Sequence, residues 1–127
     1  MKILTNYFWD ENAFSPILHQ DFNTYFGGKC EHIKSGTYYS NSYYCVEDSF
    51  FENLKNRAIY SSGDCKFLFE DSTFVNVSHP SGDGGAVCTK KGENVHNRIC
   101  SFNCSTSGSG QYCTSYSSNG ERKNYFI

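Results

Sequence analysis

At 127 residues the chain has room for one domain with a modest core. Its formal charge of -2 gives no electrostatic reason to expect nucleic acid or an anionic membrane as a partner. Ten Tyr, eleven Phe and eleven Gly stand against one Met and two Pro, a balance that favours half-buried pleated strands over helices.

No stretch approaches the roughly 20 apolar residues of a membrane span. The N-terminal MKILTNYFWDENAF meets Asp10 and Glu11 before an apolar run of signal-peptide length develops. Taken alone, the polypeptide reads as neither exported nor anchored, with no direct membrane insertion. Residues 1–30 form a leader. Within it Ser15 and Pro16 supply a helix start, Leu18, Phe22 and Tyr25 follow at helical spacing, and Gly27-Gly28 supplies a stop. The expectation is a short capping helix over the open end of the repeats that follow; the alternative is an irregular leader.

From residue 31 to 127 the sequence repeats itself. EDSFFEN (Glu47 to Asn53) and EDSTFVN (Glu70 to Asn76) share five of seven residues at a separation of 23. A blurred third copy is set against them at Cys100-Ser101-Phe102-Asn103-Cys104, 28 residues after Ser72. In that alignment Ser49, Ser72 and Cys100 share a column, as do Phe51, Phe74 and Phe102, while the columns between are free. Such two-residue alternation marks strands with one buried face. A second series, Arg57 to Tyr60, Gly85 to Cys88 and Gly110 to Cys113, consists of short apolar strands, with a weaker member at Gly36 to Tyr39. Turn-rich connectors, SSGD (Ser61 to Asp64) and HPSGDGG (His79 to Gly85), separate them. The final Tyr125-Phe126-Ile127 looks like a further strand beginning as the sequence stops, as in a stub of a longer array.

Units of this length, with strands but no interposed helices, imply a parallel β-helix of about three to four coils, like residues stacked over like. Phe51, Phe74 and Phe102 are expected to form an inward aromatic stack. Asn53 and Asn76 are expected as buried amides bonding neighbouring turns. Exposed coil ends would offer unpaired backbone for self-association.

The GGAV of Gly84 to Val87 and the FFEN of Phe50 to Asn53 resemble the GGA-I/L/V and FxxN repeats of the chlamydial polymorphic outer-membrane proteins and of protist surface-protein families that share them. The resemblance spans roughly Gly36 to Cys113. It implies a right-handed, pectate-lyase-like β-helix in a cell-surface or extracellular protein concerned with adhesion and antigen display. This conflicts with the leader, in which no export signal is visible.

Seven cysteines (Cys30, Cys45, Cys65, Cys88, Cys100, Cys104, Cys113) leave at least one unpaired within the chain. A disulfide scaffold needs an oxidising compartment, and buried free thiols are the alternative. Cys88 and Cys113 are set in one column, as stacked thiols rather than a disulfide. His96, Cys100, Cys104 and Cys113 are zinc-ligand types, but no C-x-x-C knuckle accompanies them, so no metal site is expected. SGDGGAV has one aspartate and reads as turn chemistry rather than a calcium loop. For catalysis the carboxylate and cation candidates, Asp64, Lys66 and Asp83, are scattered through connectors, and His19, His32, His79 and His96 are placed on the surface. No catalytic, cofactor or metal residue is therefore assigned. Of two N-x-S sequons, the alignment turns Asn76 inward and Asn103 outward.

The function expected is a non-catalytic scaffold that presents connectors and outward aromatics, Tyr39 and Tyr43 among them, to host protein or glycan. The alternatives are a pectate-lyase-like carbohydrate-active enzyme or glycan-binding module, and a truncated gene copy without a function of its own.

Overall fold

The computed structural model describes residues 21–38, 42–115 and 124–127. These form an all-β assembly with one five-residue helix, α1 (Phe22–Phe26). The strands are β1 (Glu31–His32), β2 (Gly36–Tyr38), β3 (Tyr43–Glu47), β4 (Phe50–Glu52), β5 (Ile59–Ser61), β6 (Lys66–Glu70) and β7 (Thr73–Val75). They continue as β8 (Ser78–His79), β9 (Val87–Thr89), β10 (Glu93–Asn97), β11 (Cys100–Phe102), β12 (Ser105–Thr106), β13 (Cys113–Ser115) and β14 (Asn124–Phe126).

Four sheets hold them: sheet one is β1-β3-β6-β10-β14, sheet two β4-β7-β11, sheet three β8-β12, and sheet four β2-β5-β9-β13. Every pairing is parallel. From β6 the chain visits sheets one, two, three and four in turn, then repeats the order from β10. Each circuit thus lays strands beside those of the circuit before it, with sheet three beginning only at β8, and this is why EDSFFEN and EDSTFVN look alike. Phe51 pairs with Phe74, and their rings stack at 4.8 Å and 14°. Within β4 and β7 burial alternates around those two residues, as period-2 patterning requires.

The third copy is displaced by one residue from its expected place. Cys100 pairs with Thr73, Ser101 with Phe74, and Phe102 with Val75. A one-residue slip carries every side chain to the other face. Phe102 is accordingly 69% exposed and does not join the aromatic stack. Tyr112 fills the interior beneath Phe74 instead, ring centres 5.1 Å apart. The same correction applies in sheet four, where Cys113 pairs with Val87 and Cys88 with Thr114, so Cys88 and Cys113 are not in one column.

What sets this register is backbone rather than phenyl rings. Asn53, Asn76 and Asn103 all have left-handed φ (56°, 53° and 53°), a conformation that Asn tolerates better than most residues. Asn76 follows Asn53 by 23 residues and Asn103 follows Asn76 by 27, with side-chain amides joined in series. These amides are exposed, not buried as the sequence suggests. The GGA motif has a steric cause: a Cβ on Gly85 would collide with the carbonyl oxygens of Gln111 and Ser105 on the next circuit.

The middle of sheet one, along β3, β6 and β10, is buried on both faces. Tyr44, Val46, Phe67 and Phe69 point into the main core with Phe51, Phe74, Ile59 and Val87. Cys45, Leu68 and Val95, which form one register column, point the other way and meet Phe22 and Tyr25 of α1. The helix therefore lies across the side of sheet one and is not a lid on an open end. Asp21 caps it, accepting from Thr24 N at 2.9 Å, and Gly27 ends it at φ 72°. The glycine stop agrees with the sequence; the Ser15 start lies outside the described residues. A disulfide, Cys30–Cys45, ties the segment to β3 across a separation of 15 residues. Residues 21–30 thus belong to the packed unit, while Cys65, Cys88, Cys100, Cys104 and Cys113 take no part in a disulfide.

Candidate functional site

Sheet two presents the most open aromatic face among the described residues. Phe50 on β4 is 64% exposed and Phe102 on β11 69%. They stand on one side of the sheet with Thr73 and Val75 of β7 between them. From standard strand spacing and rise, the two side chains emerge roughly 12 Å apart. Phe50 also borders a shallow cleft with Lys34, Asp48, Glu52 and Leu54.

Columns of left-handed residues frame this face on both sides. After the strands runs the amide ladder: Asn76 Nδ2 donates to Asn53 Oδ1 at 3.1 Å, and Asn103 Nδ2 to Asn76 Oδ1 at 2.7 Å. Before the strands stand Asp48, Asp71 and Arg98, with φ of 46°, 48° and 52°. Arg98 breaks what would otherwise be a run of like charges. Its guanidinium forks onto both carboxylate oxygens of Asp71 and reaches Glu70 Oε1 at 3.2 Å. Asn97 Nδ2 donates to the same Glu70 oxygen at 2.8 Å. Burial nonetheless raises the Glu70 carboxyl above its ordinary range, against the lowering pull of Asn97 and Arg98.

Of the outward aromatics chosen from sequence, Tyr43 is exposed, at 41%. Tyr39 lies outside the described residues. Tyr43 packs its ring 5.5 Å from Phe22 and carries Lys66 Nζ 5.4 Å from its centre, so it belongs to the α1 side. Phe50 fell in a column that looked merely free, and Phe102 in one that looked inward. The signal that would have found Phe102 was the Asn103 corner. Asn76 and Asn103 are both exposed and share one column, so the expected contrast between the two sequons does not hold.

Of the zinc-type residues, only two come together. His96 is not on the surface: it is 1% exposed and stacked between Phe69 (4.5 Å) and Phe126 (4.3 Å). Tyr112 OH lies 3.0 Å from its Nδ1, and Cys113 Sγ 3.8 Å from its Nε2. Cys100 is exposed on β11, and Cys104 directs its sulfur at Phe74 O, 3.5 Å away. Among the described residues no three His, Cys, Asp or Glu side chains converge on a metal position. Burial lowers His96 to about 3 and pushes Cys113 up to about 12. Both are neutral near pH 7, the reverse of what an activated thiolate–imidazolium pair requires.

The remaining candidates are separately engaged. Lys66 pairs with Glu93 at 3.2 Å on sheet one, and Asp83 accepts from Ser109 N at 2.7 Å in a connector. Asp64 is exposed in the turn before β6. His32 is 3.3 Å from Glu47 at the surface, and His79 is half-buried. His19 lies outside the described residues. In the SGDGG connector, Arg57 takes the carbonyl oxygens of Asp83 (2.6 and 2.9 Å) and Gly84 (2.9 Å). Oxygens that a calcium ion would need are thus bound to the chain's own cation.

No protein-family model, no curated protein and no solved structure matches this chain.

Proposed function

We propose that this chain is a right-handed parallel β-helix acting as a non-catalytic scaffold of a cell-surface or extracellular protein. Its contact face for host protein or glycan is the outward side of sheet two. The observation that carries the reading is the pair Phe50 and Phe102, at 64% and 69% exposure on one rigid parallel sheet. Large apolar side chains held open on a fixed scaffold suit a recognition surface, and aromatic rings supply contact area with little entropy to lose. The repeated sheet order, with each strand pairing to its counterpart one circuit later, supports the β-helix. The right hand follows from the general preference of parallel crossovers. The Cys30–Cys45 disulfide favours an oxidising compartment and hence the extracellular placement. Neutral His96 and Cys113 and the scattered carboxylates favour a role without turnover.

The test compares the wild type with a Phe50→Ser/Phe102→Ser variant on a panel of immobilised glycans and purified extracellular proteins. Retained folding with at least about tenfold weaker binding supports the reading, since two exposed aromatic anchors can carry 1–2 kcal/mol. Unchanged binding removes sheet two as the contact face. Oligosaccharide cleavage by the wild type overturns the non-catalytic assignment.

A further inference from the structure

Residues 21–30 form a strap held to sheet one by three things. Phe22 and Tyr25, 3% and 9% exposed, press on the column Cys45, Leu68 and Val95, at 1%, 0% and 0%. Cys30 is bonded to Cys45. The strap then enters β1, whose two residues pair with β3. The helix itself is five residues long, too short to persist without its contacts. The covalent bond is the one of these three constraints that a chemical reagent can remove.

That bond is also reachable. A surface cleft of about 640 Å³ is lined by Cys30 and Cys45 together with Gly28, Lys29, His32 and Glu47. Cys30 is half-buried, whereas Cys45 is 1% exposed. Asp21 and Glu47 offset Lys29 and His32 around the cleft, so entry does not require a charged reagent.

We propose that Cys30–Cys45 is a thiol–disulfide exchange site whose reduction releases the strap and uncovers the Cys45–Leu68–Val95 stripe. The co-reactant is a dithiol. One of its thiolates attacks Cys30 Sγ and forms a mixed disulfide; the Cys30–Cys45 bond breaks, and its electron pair leaves on Cys45 Sγ, which takes up a proton. The second thiol of the reagent then attacks the mixed disulfide and frees Cys30 as a thiol. The dithiol is oxidised to a disulfide, and the protein gains two thiols. The core of the four sheets does not depend on the bond, because sheets one to four are joined by their own parallel pairings and by the separate interior cluster.

Amide hydrogen exchange on the full chain, oxidised and after treatment with dithiothreitol, tests this. Exchange at residues 22–28 should quicken roughly a hundredfold on reduction, the factor expected for losing a loop closure of this size. Amides of β6 and β10 should keep their protection. Alkylation mapped by peptide should then mark Cys30 and Cys45 while Cys65 and Cys88, both buried, stay unmodified. A Cys30→Ser/Cys45→Ala variant should exchange like the reduced protein under either condition. Equal exchange of the strap in both states overturns the proposal. So does reduction that proceeds only as the sheet amides also lose protection, since the bond would then be a staple of the whole fold.

Discussion

Replacing Phe74 by alanine tests the packing of sheet two and its register together. Phe74 is fully buried at the centre of β7, stacked on Phe51 at 4.8 Å and tilted against Tyr112 at 5.1 Å. Truncation removes the ring's transfer energy and leaves a cavity between neighbours that are themselves fixed by parallel pairing. A buried Phe→Ala change of this kind costs about 3–5 kcal/mol. The total stability of a domain of this size is on the order of 10 kcal/mol. Urea unfolding followed by far-ultraviolet circular dichroism should therefore show a midpoint lower by roughly 2 M. The thermal midpoint should fall by roughly 12–20 °C. Phe102→Ala provides the control. In the alignment read from sequence it would cost as much, whereas at 69% exposure it should change stability by no more than about 0.5 kcal/mol. Equal losses for the two variants, or a silent Phe74→Ala, would refute the register on which the contact face rests.

Three further outcomes follow from the same contacts. His96 has a folded pKa of about 3 against an ordinary value of 6.5, so the unfolded chain takes up the proton first. Stability should then fall as pH drops from 6.5 toward 3, by up to about 1.4 kcal/mol per pH unit. His96→Phe, which keeps a ring between Phe69 and Phe126, should flatten thermal midpoints measured from pH 6.5 to 4.5; identical slopes would show that His96 is not the acid-labile group. Asn76→Ala should cost about 2 kcal/mol by urea unfolding, from left-handed strain and broken amide bonds, with Asn76→Gly recovering part of it. Equal values for the two would mean that strain does not fix the corner. Gly85→Ala should cost about 3 kcal/mol or more because its Cβ meets backbone, whereas Gly27→Ala, with open space around it, should cost about 1 kcal/mol; thermal midpoints of the two variants check the difference.

Much of the architecture was legible in the residues alone. The 23-residue echo of EDSFFEN in EDSTFVN, the Gly-led apolar strands and the scarcity of helix formers led to parallel strands stacked circuit on circuit. Gly27-Gly28 marked a helix end. These features are local or strictly repeated, so the chemistry that produces them acts at fixed sequence distances.

The third circuit lay beyond that reach. Phe102 can satisfy a strand in either phase, and aligning it with Phe74 required a separation of 28, whereas the Asn103 corner requires 27. Only the stacked backbone, with left-handed corners superposed and amides joined, decides between the two. One residue of difference moved Phe102 from core to surface and gave its place beneath Phe74 to Tyr112. Burial of His96 and the bond between Cys30 and Cys45 were likewise hidden, because each depends on segments brought together by pairing. Composition and repeat length determined that strands would stack; the register of the stack, set by contacts between circuits, decided which side chains face solvent and therefore what the surface can bind.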